Sequence, residues 1–584
     1  MATKNIIVER NVPATMRDGT ILYADIYRPE KEGTYPILLT RIPYGKHDPF
    51  YSHRYLDTHR FVDHGYIVII QDVRGRFASE GTFSMFTNEA KDGYDTIEWA
   101  AHLPYSNGNV GMFGLSYYGY TQLLAATEKA PHLKAIFPAQ TLNDSRSGAT
   151  YQNGAFLVGL FQSLILGTFV PDLLKRTYKD DLATYYRMMQ KWAQEVDQIE
   201  KWYETKPIKD WSILKEFGLE GDFLDMITHE LDDDAFWETY SLLEKYPNIQ
   251  VPAYHLAGWY DCFLYSTIEN FKNMRAKTDC MQKLMVGPWA HGNFGHVIGD
   301  RSFGMSASEH FIDLKEDLTA LHIRWFDHWL KKEDKGFAEE AAVKIFTMGV
   351  NQWQEADEWP LPNTNYTPFY LHSNGKANTR FGDGQLTMEK PENDEKHVDQ
   401  FVYDPTNPVP TTGGGTLYEG VAVEGPYDQR TVEEREDVLV YTSDVLDAPL
   451  EVTGPVSVKL WAKTDAKDTD FTAKLVDVAP DGTAYNLTDG IIRARYRHGN
   501  EKAGDVDGAI IPYEINLWAT SNVFKRGHRI RVEISSSNFP RFDVNPNTGE
   551  TVIHSDDMQT ATQTIYHNET YPSHIMLPVI PNVK

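Results

Sequence analysis

The stretch from Val110 to Tyr120 constrains this chain most. It reads Val-Gly-Met-Phe-Gly-Leu-Ser-Tyr-Tyr-Gly-Tyr. A short apolar run meets a Gly-Leu-Ser-Tyr-Tyr-Gly turn, and the turn runs into Thr121 to Ala126, a stretch of good helix formers. The pattern predicts strand, sharp turn and helix, with Ser116 at the apex. Such an elbow lifts a serine hydroxyl above a parallel sheet, and small residues on either side let helix and strand approach closely. It also leaves the backbone N–H of Tyr117 near a helix N-terminus, free to face an anion. The usual elbow has Gly two residues after the serine; here Tyr118 holds that place and Gly119 follows one later. Taken alone, the turn fits a nucleophile or an ordinary tight turn, and the rest of the chain decides.

That elbow sits in a regular alternation. Pro36 to Leu39, Tyr66 to Ile70, Val110 to Phe113 and Leu133 to Phe137 are short runs without polar alternation, as expected of parallel strands covered on both faces. Tyr55 to Gly65 and Glu89 to His102 have helical spacing between them. Strand and helix in turn predict an α/β class, a doubly wound sheet. From about Asn143 the texture becomes aromatic-rich and charge-dotted without strand signals, which reads as a helical cap inserted up to Tyr246. The sheet resumes with Val251 to Ala257, ending in Gly258-Trp259-Tyr260-Asp261, and Lys283 to Val286, ending in Gly287-Pro288-Trp289-Ala290-His291. A helix over Phe311 to Leu330 follows. Beyond Ala341, short runs such as Val438 to Tyr441, Val456 to Trp461, Phe471 to Val476 and Ile530 to Ile534 are punctuated by turn residues, predicting an all-β sandwich or jelly roll. Thr411 to Thr416, with three consecutive glycines, is a loop and not a phosphate cradle. The expected organisation is an α/β domain over 1–142 and 247–340, a helical cap over 143–246 and a C-terminal jelly roll over 341–584.

Bulk properties exclude several classes. A length of 584 residues exceeds one hydrophobic core, and at about 150 residues per domain three or four units are expected. The net charge of −27 argues against nucleic acid and anionic lipid as partners. Two cysteines, Cys262 and Cys280, supply no disulfide framework, and neither a leader nor an apolar run long enough to span a bilayer is seen, so a cytoplasmic protein is expected. No cofactor is called for, and a homodimer stays open.

Three side chains with catalytic chemistry, Ser116, Asp261 and His291, each follow a predicted strand, at the sheet edge where ligands bind in open α/β folds. A serine hydroxyl is a poor nucleophile at neutral pH. An imidazole must take its proton, and a carboxylate must orient that imidazole and stabilise its cation. The order Ser, Asp, His is that of α/β-hydrolases. On residue type alone His296 could replace His291, and Asp279 or Asp300 could replace Asp261. A metal site from His291, His296 and Asp300 has no helical register and no cysteine partner, so no metal is called. An oxyanion hole needs two donors. The Tyr117 N–H offers one, and the loop Thr40-Arg41-Ile42-Pro43-Tyr44-Gly45-Lys46 offers Tyr44, a phenol that stays protonated at neutral pH.

These residues carry a resemblance. The chain resembles the bacterial cocaine esterase and X-prolyl dipeptidyl-peptidase family of serine hydrolases, in its acyl esterase branch, over nearly its whole length. The likeness lies in Arg41-Ile42-Pro43-Tyr44, Gln71-Asp72-Val73-Arg74-Gly75-Arg76, Gly114-Leu115-Ser116-Tyr117-Tyr118-Gly119, Gly258-Trp259-Tyr260-Asp261 and Gly287-Pro288-Trp289-Ala290-His291, and in Asp428-Gln429-Arg430 and Ser536-Ser537-Asn538-Phe539-Pro540-Arg541-Phe542 further on. It implies an α/β-hydrolase domain, a helical cap and a jelly roll, with Ser116 as nucleophile, Asp261 and His291 as its partners, and Tyr44 with the Tyr117 N–H as oxyanion hole. It further implies that Phe263, two residues after the acid, helps hold the acyl group; Tyr118, Tyr265, Phe156 and Phe161 are further candidates for that wall. Relatives acting on α-amino acid esters carry acidic residues just after the catalytic Asp, where this chain has Cys262, Phe263 and Leu264. The expected function is hydrolysis of a small carboxylic ester through an acyl-enzyme on Ser116. The alternatives are an X-Pro dipeptidyl-peptidase or an amide or β-lactam acylase with the same triad, and a catalytically silent carbohydrate-binding protein.

Overall fold

The computed structural model describes residues 5–392, 398–417 and 424–581. Ten strands form the first sheet: β1 (Ile6–Thr15), β2 (Ile21–Pro29), β3 (Tyr35–Ile42), β4 (Ile67–Asp72), β5 (Ser106–Leu115), β6 (Leu133–Ala139), β7 (Ala253–Tyr260), β8 (Gln282–Ala290), β9 (Val343–Thr347) and β10 (Gln352–Ala356). Their order is β1-β2-β4-β3-β5-β6-β7-β8-β9-β10. Strands β3 to β9 run parallel, while β1, β2 and β10 join antiparallel at the two edges. All six apolar runs read from the sequence are strands of this sheet, and β4, β7 and β8 are buried along their whole length. The edge pair β1 and β2 went unread because β1 alternates exposed and half-buried residues, without the continuous apolar run of a central strand.

Helices α1 (Thr58–Asp63), α2 (Glu89–Ala101), α3 (Tyr117–Thr127), α5 (Leu264–Lys277) and α6 (Leu318–Leu330) cover the sheet, and α4 (Leu182–Val196) belongs to the insertion. Two boundaries differ from the sequence reading. The last helix starts at Leu318, where the Asp317 side chain accepts from the Ala320 N–H at 2.8 Å, so the seven residues from Phe311 are irregular. The sheet also continues past residue 340. Strand β9 pairs in parallel with β8 through Leu284 and Val343, and β10 returns from it through a turn at Gly349, whose φ is 83°. The turn-rich texture begins one hairpin before the sheet ends.

The insertion is mostly helical. One continuous helical run in it, Val158–Thr177, is long and apolar enough to cross a membrane, against the expectation of no such stretch. Some 67% of its most apolar 18 residues are buried in the protein, with Phe161 packed on Phe156 and Phe223, so its apolarity is used in a core.

The C-terminal unit is all-β and jelly-roll-like, with eleven strands linked through Leu450–Thr464. The four short runs read from the sequence all fall on its strands. It is fastened to the first sheet by backbone bonds from Met348 N–H to Ser521 carbonyl at 3.0 Å and from Val523 N–H to Met348 carbonyl at 2.9 Å. It is fastened to the insertion by Asp543, whose carboxylate accepts from the Phe156 N–H at 2.8 Å and whose own N–H donates to the Phe156 carbonyl. Arg493, 2% exposed, holds Asp543 at 2.7 Å and Asp470 at 2.9 Å. Arg493→Met would leave two buried carboxylates without their cation. A loss of about 3–5 kcal/mol in urea unfolding is expected, and an unchanged midpoint would show that this clamp does not hold insertion and jelly roll together.

Candidate active site

Strand order reverses around β3, with β4 on one side and β5 on the other, and this is where open α/β sheets bind ligands. Tyr44 follows β3 and Ser116 follows β5. Ser116 has φ 59° and ψ −130°, the strained backbone of an elbow, which its neighbours enforce. Its N–H donates to the Ala139 and Gln140 carbonyls at 3.0 and 3.1 Å, and its carbonyl accepts from the Thr141 hydroxyl at 2.7 Å. The displaced glycine also has a cause. A Cβ on Gly114 would lie 2.2 Å from the Tyr118 ring, and one on Gly119 would lie 2.7 Å from the Thr141 Cβ. The Tyr118 ring covers Gly114, and the close approach of α3 to the segment after β6 falls at Gly119.

The Tyr44 phenol lies close enough to the Ser116 hydroxyl and the Tyr117 backbone N–H for both to act on its acidity. Burial pushes the Tyr44 pKa well up, so the phenol is a proton donor at neutral pH. Its ring stacks on Tyr51 at 4.9 Å and meets Tyr117 and Tyr118 edge-on. The Tyr117 ring is fixed in turn: its hydroxyl donates to Glu89 at 3.0 Å, and Glu89 is paired with buried Arg41 at 2.7 Å.

Asp261, fully buried, stands directly after β7, and its Oδ1 lies 2.7 Å from Nδ1 of His291. An irregularity in β8 between Gly287 and Ala290 aims His291: a Cβ on Gly287 would strike the Trp289 ring at 2.3 Å. The Phe263 ring lies edge-on to the His291 ring at 5.2 Å. His296 has no part in this pair, and Asp279 and Asp300 are exposed.

Gln140 was not singled out from the sequence. It is fully buried, at φ 41°, and its carbonyl receives the Ser116 N–H. Its side-chain N–H donates to the Ala290 carbonyl at 2.9 Å, and its side-chain oxygen accepts from the Gly292 N–H at 2.7 Å. One residue thus ties the serine elbow to both neighbours of His291. No sequence signal marks it, because a glutamine after a strand is commonplace.

Of the pocket candidates, only Phe263 touches the Asp261 and His291 pair. Tyr118 is 2% exposed and packs beneath the elbow among Tyr44, Tyr51 and Tyr55. Phe156 and Phe161 are buried in the insertion's own core, and Tyr265 lies on the outer side of α5 with 36% of its surface exposed. Among the described residues the donor atoms of Asp261, Cys262 and His291, within 4.8 Å of one another, are the set that could hold a metal, in place of the His291, His296 and Asp300 set weighed from sequence. Nδ1 of His291 is already engaged by Asp261, and burial pushes the Cys262 thiol up and keeps it protonated, so the set is arranged for hydrogen bonding.

Residues 18–293 match the X-Pro dipeptidyl-peptidase (S15 family) and residues 335–576 match the X-Pro dipeptidyl-peptidase C-terminal non-catalytic domain. The chain is 39% identical to the cocaine esterase of Rhodococcus sp. (strain MB1 Bresler), over 99% of this chain and 100% of that one. Among solved structures it is similar to an aminopeptidase from a marine sediment Thaumarchaeota archaeon, with TM-score 0.81 and 26% identity over 99% of this chain and 97% of that one. It is likewise similar to an α-amino acid ester hydrolase, with TM-score 0.80 and 26% identity over the same shares. With a fold, a strand-end site and full-length relatives in agreement, this chain belongs to the cocaine esterase and X-Pro dipeptidyl-peptidase family of serine hydrolases.

Proposed function

We propose that this protein is a serine carboxylic-ester hydrolase that works through an acyl-enzyme on Ser116. The observation that carries the reading is convergence: the Tyr44 phenol lies beside Ser116 and the Tyr117 N–H at the strained elbow, while Asp261 holds Nδ1 of His291. The Asp261 bond fixes the imidazole tautomer that leaves Nε2 free as base. Ser116 attacks the ester carbonyl and His291 takes its proton. The tetrahedral oxyanion is received by Tyr44 and the Tyr117 N–H. His291 returns the proton to the leaving alcohol, and water then hydrolyses the acyl-enzyme with the same base. Phe263, against the His291 ring, suits an apolar acyl group.

An amide or peptide substrate is the second reading, favoured by the likeness to an aminopeptidase. Against it, Asp261 is followed by Cys262, Phe263 and Leu264, which give a free α-amino group no anionic partner. Cys262 and Cys280 are both free thiols, in keeping with the reducing cytoplasm as its compartment.

A fluorophosphonate probe should label the wild type and fail on Ser116→Ala, with p-nitrophenyl ester turnover falling about 10⁴-fold or more. Equal labelling of both proteins would move the nucleophile elsewhere. Parallel assays with X-Pro-p-nitroanilide should give far lower turnover than matched esters. Tyr44→Phe should lower kcat by about 10²- to 10³-fold with little change in KM, and an unchanged kcat would remove the phenol from the oxyanion hole. Gln140→Leu leaves the Gly292 N–H unpaired, at about 1–3 kcal/mol, and leaves the Ala290 carbonyl with the Asn293 N–H alone. It should slow acylation and quicken amide exchange across 289–293. Exchange identical to wild type would deny Gln140 its role as a positioning residue.

A further inference from the structure

A cavity of about 430 Å³ lies between the loop after β4 and the helical insertion, outside the triad. Phe83, Ile165, Phe169, Leu219 and Phe223 make it mostly apolar, and Arg76 lies in its wall. Arg76 is 2% exposed, and its guanidinium sits 4.9 to 5.3 Å from the ring centres of Phe77, Phe83 and Phe169. Nε donates to the Pro43 carbonyl at 2.9 Å and Nη1 to the Phe169 carbonyl at 3.1 Å. Nη2 is buried with no hydrogen-bond partner among the described residues. The nearest carboxylate, Asp172, stays 3.6 Å from Nη1 and already accepts from the Phe77 N–H at 2.9 Å. Burial, the largest influence, accordingly lowers the Arg76 pKa. Arg176, also in the wall, spends its guanidinium on the Phe77, Ser79 and Gly81 carbonyls, so it adds positive potential while clamping the loop. Glu220 at the rim is exposed to water.

A buried cation with an idle donor and loose ion pairing is costly unless a ligand supplies an acceptor. The planar guanidinium suits a carboxylate, and the apolar walls suit a hydrocarbon tail. A dianion such as phosphate would have to shed its water for walls that offer almost no further donors. We propose that this cavity is an accessory site for a monocarboxylate with an aliphatic or aryl tail, held by Arg76 at its head and by Phe83, Phe169 and Phe223 along its length. The site backs onto the oxyanion pair, since Arg76 bonds the residue before Tyr44 and the Phe83 ring lies 6.3 Å from that of Tyr117. The binding proposal stands without the catalytic reading. If the protein is an esterase, the ligand class is that of its acid products.

Isothermal titration of the full chain with octanoate tests it. Saturable one-site binding is expected, at least tenfold weaker for octanamide, which has the same tail without the charge. Arg76→Met should weaken octanoate at least tenfold. Leu173→Glu, a substitution of a half-buried wall residue that puts a like charge beside the ligand, should do the same and serves if Arg76→Met fails to fold. Absence of saturable binding, equal affinity for octanamide, or undiminished octanoate affinity in a folded variant would each overturn the proposal.

Discussion

The N–H of Ser116, shared between the carbonyls of Ala139 and Gln140, is the bond on which the site depends. It pins an unfavourable backbone conformation at the end of one strand to the end of the next. A residue at φ 59° persists only where its surroundings over-determine it. Here the Thr141 hydroxyl, the Tyr118 ring on Gly114 and the approach at Gly119 all press the same way. Gln140 extends the constraint to a third strand end, because its side chain brackets His291 at Ala290 and Gly292. Ser116 and His291 are thus positioned by one backbone junction.

The Tyr44 side of the site is built on different physics. Its phenol is held by aromatic packing and loop geometry, and the neighbouring Tyr117 ring is anchored by a buried Glu89 and Arg41 pair. Buried ions of this kind hold geometry more surely than they add stability, since desolvation offsets much of their attraction. Burial also keeps Tyr44 protonated, as its proposed role as an oxyanion donor requires. The same burial, around Arg76 one shell further out, leaves a cation with an unused donor.

The jelly roll is part of this scaffold. Gly415 lies against the Asp261 backbone, with a Cβ there only 3.2 Å from the Asp261 carbonyl oxygen, and Tyr260 donates to the Asn486 carbonyl at 3.1 Å. The glycine run that the sequence marks as a loop is one that must pass close to the turn carrying the acid. Among described residues, Arg493 and Asp543 tie the insertion to the same unit.

Much of this was legible in the chain alone, for a local reason. Central parallel strands declare themselves as unbroken apolar runs, an elbow declares itself as a serine between small residues, and Asp261 and His291 each stand directly after a strand. Strand-end chemistry is short-range, so the candidate triad, Tyr44 and the layered α/β, helical and all-β order could be read residue by residue. What only the tertiary structure decided depends on contacts between distant segments. Such contacts sent β9 and β10 into the first sheet, buried the apolar run of Val158–Thr177, and put Tyr118, Phe156 and Phe161 into cores while leaving Phe263 beside His291. Gln140 and the idle Nη2 of Arg76 owe their meaning wholly to partners far along the chain, and no local pattern could have announced them.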